Sequence, residues 1–241
     1  MKTIFALAAL LTFVSVPEAW SQLTQWPTAQ GGNDHFYEVV PALGGISWSN
    51  ASAAATNRGG YLATIASSNE NEFIFGLASQ NTNIWYVGYG PWLGGIQPAG
   101  SAEPNGGWSW ITGETFTFQS WAPSQPNNNG GAENRIHYGG LPTNSSAWND
   151  LGQNDTNYSR GYVVEYVQHP NVVTLHIAKV NGHVILSWAS RTNVQYTIKY
   201  TDELTNASWN TFATVNGNGI TNGYADAHDN PRRFYRVSAP Q

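Results

Sequence analysis

The sequence has no cysteine and a single methionine among its 241 residues. Without cysteine there is no disulfide, no thiolate zinc site and no thiol nucleophile, so packing or a bound metal must hold any long loop. Charge is also scarce. Asp, Glu, Lys and Arg make up 10% of the chain, against about a quarter in an ordinary globular protein. The net charge is −5 and no cluster of Lys and Arg occurs. That argues against a nucleic-acid partner, because phosphate binding needs concentrated positive charge. After the N-terminal segment no apolar run is long enough to span a bilayer. The six histidines (His35, His137, His169, His176, His183 and His228) show no H-x-x-x-H metal spacing. No G-x-S-x-G nucleophile elbow appears either. Spacing alone does not exclude a pair of hydrolytic carboxylates, but with so few acids the expectation is a protein that is not an enzyme.

What is present begins with an address. Lys2, the apolar run Ile4 to Val14 and the small residues Ala19 and Ser21 have the form of a signal peptide over residues 1–21. The expected mature protein starts near Gln22 and is secreted or held at the cell surface. Two textures follow. Gly45 to Arg58 reads as a helix capped by Ser47 and ended by Gly59-Gly60. Tyr61 to Ile65 reads as a strand. Ser67 and Glu70 form a capping box that opens a second helix to about Ser79. Ile84 to Tyr89 reads as another strand.

From Gly90 to Asn157, Gly, Pro, Asn and Trp dominate. Trp108, Trp110, Phe116 and Phe118 alternate as in short strands, and the rest of this region reads as long loop, with Trp92 exposed. Gly161 to Val167 closes the unit as a strand. His169-Pro170-Asn171 marks a boundary. Beyond it, Asn181-Gly182 between two apolar runs signals a type I′ hairpin, and Gln195 to Tyr200 and Phe234 to Ser238 alternate. The expectation is an α+β domain over 22–168 and a small all-β sandwich over 172–241, with Arg232-Arg233 a solvated pair.

One constellation carries chemistry. Gln125-Pro126-Asn127, Glu133 and Trp148-Asn149-Asp150 gather five oxygen-bearing side chains in two stretches. Calcium takes about six to eight oxygens, mixing carboxylates with amide carbonyls, so this set would supply most of a shell. Pro126 is a candidate cis-proline. Trp148 would anchor its stretch in the core. Glu103-Pro104-Asn105 has similar letters but precedes Trp108 with no partner set, and reads as a turn.

These residues resemble a C-type lectin-like domain over about Asp34 to Tyr166. The resemblance is carried by Trp48 with its Ala-rich helix, Gly59 to Ile65, Trp85-Tyr86-Val87-Gly88, Trp108-Ser109-Trp110 with Gly113-Glu114, Gln125-Pro126-Asn127, Trp148-Asn149-Asp150 and Tyr162-Val163-Val164-Glu165. It implies two helices, antiparallel sheets and a long loop region. It also implies Ca2+ held by Gln125, Asn127, Glu133, Asn149 and Asp150, the same five groups binding the vicinal hydroxyls of a hexose. Trp85, Trp108, Trp110, Trp121 and Trp148 fall on core positions of the family.

Two departures stand out. The family's cysteines are missing; their places fall near Arg135, Gln153 and Val164, as in forms that look bacterial. The triplet Gln-Pro-Asn holds two amides, where mannose-type members have Glu-Pro-Asn and galactose-type members Gln-Pro-Asp. That weakens calcium binding by one charge. The short loop Asn128 to Ala132 lacks the aromatic of galactose-type members, which favours a mannose-type glycan or polysaccharide. The alternative is a protein-binding or structural surface module that keeps only the fold. Leu186-Ser187-Trp188, Tyr196 to Tyr200, Trp209 and Arg233 to Val237 resemble a fibronectin-type-III-like module. A weak single site gains strength through multivalency, although nothing in the chain shows an oligomer.

Overall fold

The computed structural model describes residues 22–139, 143–170, 172–192, 194–205, 207–227 and 232–239. The expected signal peptide and His228 lie outside them. Strands β1 (Thr24–Gln25) and β2 (Phe36–Pro41) lead into helix α1 (Trp48–Asn57), followed by β3 (Tyr61–Leu62) and α2 (Ser68–Ser79). Then come β4 (Tyr89–Ile96), β5 (Ser109–Trp110), β6 (Glu133–Gly139), β7 (Trp148–Gly152) and β8 (Gly161–Tyr166). These eight strands form one sheet in the order β1-β2-β8-β4-β6-β7, with β3 on β8 and β5 on β4. All pairings are antiparallel except a single parallel pair between Trp92 and Tyr162.

The helices start where side chains can cap them. The Ser47 hydroxyl accepts the Asn50 N–H, and Ser67 accepts the Glu70 N–H. The second box is only half made. The Glu70 carboxylate accepts from Ala66 N at 2.7 Å rather than from Ser67 N, and also takes the Tyr37 hydroxyl at 2.6 Å. Helix α1 buries Trp48, Ala51 and Ala55; after it Gly59 adopts φ +84°, the left-handed turn that glycine supplies without steric cost.

Several expectations are corrected. The strand after α1 ends at Leu62. Thr82–Ile84 is a 3-10 turn, not the start of a strand. Val87 and Gly88 both take positive φ, so Tyr86 and Tyr89 pair through reciprocal backbone hydrogen bonds of 2.9 Å. The stretch after Gly90, which reads as loop in the sequence, forms β4, a long strand near the middle of the sheet. Its glycines answer to close neighbours: a Cβ on Gly94 would lie 2.4 Å from the Leu62 carbonyl oxygen, and one on Gly95 would lie 2.2 Å from Ile136 Cδ1. Trp92 is consequently not exposed. It is fully buried and donates to the Ile46 carbonyl at 2.7 Å. Phe116 and Phe118 are in no strand, although both pack against the core.

That core gathers Trp85, Trp108, Trp110 and Trp148 with Ile65, Ile74, Leu93 and Ile136. Trp121 packs on it half-buried. A second core under α1 holds Trp48, Leu62, Trp92 and Tyr162.

The C-terminal region forms two three-stranded antiparallel sheets. One has β10 (His183–Ala189) between β9 (His176–Val180) and β13 (Thr221–Asp226). In the other, β11 (Gln195–Thr201) lies between β12 (Asn210–Asn216) and β14 (Phe234–Ser238). Leu186, Trp188, Tyr196 and Ile198 are buried together with residues from both sheets around them. Asn181 and Gly182 take φ of 49° and 85°, as the hairpin signal requires. Arg233 departs from the expected solvated pair: its side chain is buried, pairs with Asp202 at 3.0 Å and Asp226 at 3.1 Å, and lies over the Tyr200 ring.

Candidate functional site

The candidate residues sit on one hairpin and the loop packed beside it. Strands β6 and β7 pair in register from Arg135↔Leu151 to Tyr138↔Trp148. Trp148 is fully buried, donates to Asn71 Oδ1 at 2.8 Å and meets Trp110, Phe118 and Trp121 edge-on. Its burial fixes the strand on which Asn149 and Asp150 follow. The Gln125–Pro126 peptide bond is cis.

Asp150 is fully buried. Its carboxylate accepts two loop N–H groups: Asn127 N, shared between both oxygens at 3.0 and 3.1 Å, and Asn128 N at 2.7 Å. Asn129 N is shared between Asn127 Oδ1 at 2.9 Å and Glu133 Oε2 at 2.7 Å. Glu133 N in turn donates to Asn128 Oδ1 at 3.1 Å. Asn127, Glu133 and Asp150 are therefore drawn together through loop amides. Gln125 and Asn149 meet from another side, where both line a cavity of about 270 Å³ with Tyr89, Pro123 and Ser145.

The electrostatics of the cluster are uneven. Burial pushes the Glu133 carboxyl up to about 7, the Asn129 amide partly opposing it and the Asp150 charge adding to it. Gln125 Oε1 is buried with no hydrogen-bond donor among the described residues. A buried amide oxygen without a donor is costly, and a half-buried carboxylate beside a second one is poorly balanced. A divalent cation beside either group would relieve it. The available donor atoms are all oxygens, two carboxylates and three amides, which suits a hard ion such as calcium and not a thiophilic one. The residues present therefore fit calcium. Among the described residues no three His, Asp or Glu side chains gather as a metal group, so the amides would have to complete the shell.

His137 is a residue that the sequence reading misses. It is fully buried, and burial pulls its pKa down to about 4. Its Nε2 lies 2.9 Å from Asn149 Nδ2. Nothing in its immediate sequence marks it; the signal is its register opposite Asn149 in the β6–β7 hairpin. The Glu103-Pro104-Asn105 triplet is a turn, whose Pro104 carbonyl accepts from Gln97 Nε2 and Trp108 Nε1.

Two helices against an antiparallel sheet, followed by a long loop with a cis-proline and an oxygen-bearing hairpin, define a C-type lectin-like domain. Residues 45–163 match the lectin C-type domain family. The chain is 29% identical over 124 residues to C-type lectin domain family 4 member K of Homo sapiens, a match covering 49% of this chain and 32% of that protein. It is 32% identical over 87 residues to ladderlectin of Oncorhynchus mykiss, covering 36% and 42%. The match thus spans less than half the length of either relative. Among solved structures, the cow carbohydrate-recognition domain of CD23, crystallised in the presence of a GlcNAc2Man3 oligosaccharide, aligns with a TM-score of 0.45 and 23% identity, over 64% of this chain and 96% of that one.

Proposed function

We propose that the chain is an exported, calcium-dependent glycan-binding protein whose site comprises Gln125, Asn127, Glu133, Asn149 and Asp150. The observation that carries this reading is the donor-less, buried Gln125 Oε1 in a cluster whose two carboxylates, Glu133 and Asp150, form no salt bridge among the described residues. The lectin relatives agree with the glycan class. Export rests on the form of residues 1–21. No helix among the described residues is long and apolar enough to cross a membrane.

Calcium, when bound, supplies positive charge that polarises two sugar hydroxyls. The protein's own groups then set the hydrogen bonding. The Asn127 amide offers N–H donors, because its Oδ1 is already engaged by Asn129 N. Glu133 offers an acceptor oxygen beyond the one engaged by Asn129 N. A mannose-type ring is favoured over a galactose-type one, because the loop Asn128 to Ala132 carries no aromatic. Tyr89, which lines the cavity, already stacks on His137 and Tyr158. Residues 172–241 serve as a fibronectin-type-III-like spacer.

Calcium titration by calorimetry followed by a glycan array tests the reading. Wild-type protein is expected to bind calcium, to bind glycans, and to lose the glycan signal in EDTA. Glu133→Gln is expected to weaken calcium by about tenfold, on the scale of one lost charge interaction of about 1.4 kcal/mol. Array binding that persists unchanged in EDTA overturns the calcium dependence. An empty array leaves the protein-binding module as the better reading.

A further inference from the structure

We infer that His137 is a positioning residue for the candidate site, holding the side-chain amide of Asn149 in place from behind. The inference rests on the site assignment above. Asn149 Nδ2 donates to the Asp150 carbonyl oxygen at 2.5 Å and lies 2.9 Å from His137 Nε2, which accepts from it when the imidazole proton sits on Nδ1. Among the described residues no donor reaches Asn149 Oδ1. That leaves the Asn149 carbonyl oxygen available to a cation.

Three further features show that the pair is built into the fold. His137 and Asn149 are cross-strand partners in the β6–β7 ladder, which puts their side chains on the same face. The imidazole is clamped, with Tyr89 stacked on it at 5.5 Å and 11° and Trp92 edge-on at 5.7 Å. Gly139, two residues along on the same face, leaves the room. A Cβ there would fall 2.8 Å from Asn149 Cβ and 3.0 Å from His137 Cε1. Partners that orient a metal ligand from behind typically change metal affinity by about 10–100-fold when removed.

Two substitutions separate the acceptor from the ring. His137→Phe keeps an aromatic ring for Tyr89 and Trp92 and removes the nitrogen; His137→Gln restores an acceptor near the same place. Calcium affinity by calorimetry is expected to fall about tenfold or more in His137→Phe and to recover in His137→Gln, with melting temperatures in EDTA compared alongside. Equal calcium affinity in wild type and His137→Phe overturns the inference. The side-chain amide protons of Asn149 provide a readout that needs no calcium. By NMR in EDTA, both are expected to exchange slowly in wild type, and one is expected to lose protection in His137→Phe. If wild type binds no calcium, the functional reading fails while this amide signal still decides the His137 role. If His137→Phe does not fold, rapid exchange of either Asn149 amide proton in wild type alone overturns it.

Discussion

Asp150 and Glu133 are the two carboxylates of the cluster, and the fold uses them differently. Asp150 closes the loop by accepting two backbone N–H groups; hydrogen bonds to a buried charge contribute about 1.5–3 kcal/mol each net. Asp150→Ala leaves the Asn127 and Asn128 N–H groups without their acceptor. It is expected to destabilise the protein by roughly 2–4 kcal/mol by chemical denaturation in EDTA. Lost glycan binding in that variant would then say little about metal ligation. Glu133 is the sharper probe. Burial opposes its charged form, and a glutamine keeps an oxygen for Asn129 N. Glu133→Gln should therefore be neutral or slightly stabilising in EDTA. A clear fall in its melting temperature would show that the carboxylate holds the loop by charge as Asp150 does. Arg135 and Gln153, near two of the missing cysteine positions, show another local solution. They join β6 to the end of β7 by a hydrogen bond of 2.6 Å, and the Arg135 guanidinium lies over the Trp48 ring.

Elements announced by local chemistry were legible in the sequence; elements made by neighbours were not. Helices α1 and α2 were readable because Ser47 and Ser67 cap them, and the β9–β10 hairpin because Asn181-Gly182 permits only a few turns. Strand β4 was hidden because Gly90, Pro91, Gly94 and Gly95 look like loop residues until the strands crowding them are known. Strand β6 was hidden in the same way inside an Asn- and Gly-rich stretch. The five oxygen residues could be read from spacing, since their types carry the chemistry. His137 could not, because its role depends on a cross-strand register. The crowding around β4 can be measured. Gly95→Ala places a methyl group 2.2 Å from Ile136 Cδ1 in the core, and overpacking of this kind costs about 1–3 kcal/mol. Combining it with Ile136→Ala should give less loss than the two single effects added, because the sites share one space. Strict additivity in urea unfolding would show that β4 yields instead of pressing on Ile136.

At the scale of the whole molecule, a chain without disulfides ties its lectin-like domain together with a buried polar network. His35 Nδ1 meets Glu165 Oε1 at 2.6 Å. The Tyr37 hydroxyl bridges Glu70 at 2.6 Å and Glu165 at 3.3 Å. Thr64 links the far side, its N–H to Glu165 at 2.9 Å and its hydroxyl to Glu114 at 2.5 Å. β2, α2, β8 and the chain after β3 are thus joined through three carboxylates and one imidazole. The Glu165 hydrogen bond raises the His35 pKa above its ordinary 6.5, against a smaller opposing effect of burial. Burial raises the Glu70 pKa above 4.5. Both groups bind their protons more tightly folded than unfolded, so both lower stability as pH rises. The Glu70 contribution is complete below 4.5 and fades through its raised value. The His35 contribution is complete below 6.5 and disappears as pH passes through its own raised value. The melting temperature in EDTA is therefore expected to fall as pH rises from 6.5 into the mildly alkaline range. His35→Gln should flatten the part of the curve above about 7, beyond the raised value of the Glu133 carboxyl, while leaving the Glu70 part in place. A wild-type profile that is level above 6.5, or a His35→Gln profile with the same slope, would mean that the imidazole is not charged against Glu165 in the fold.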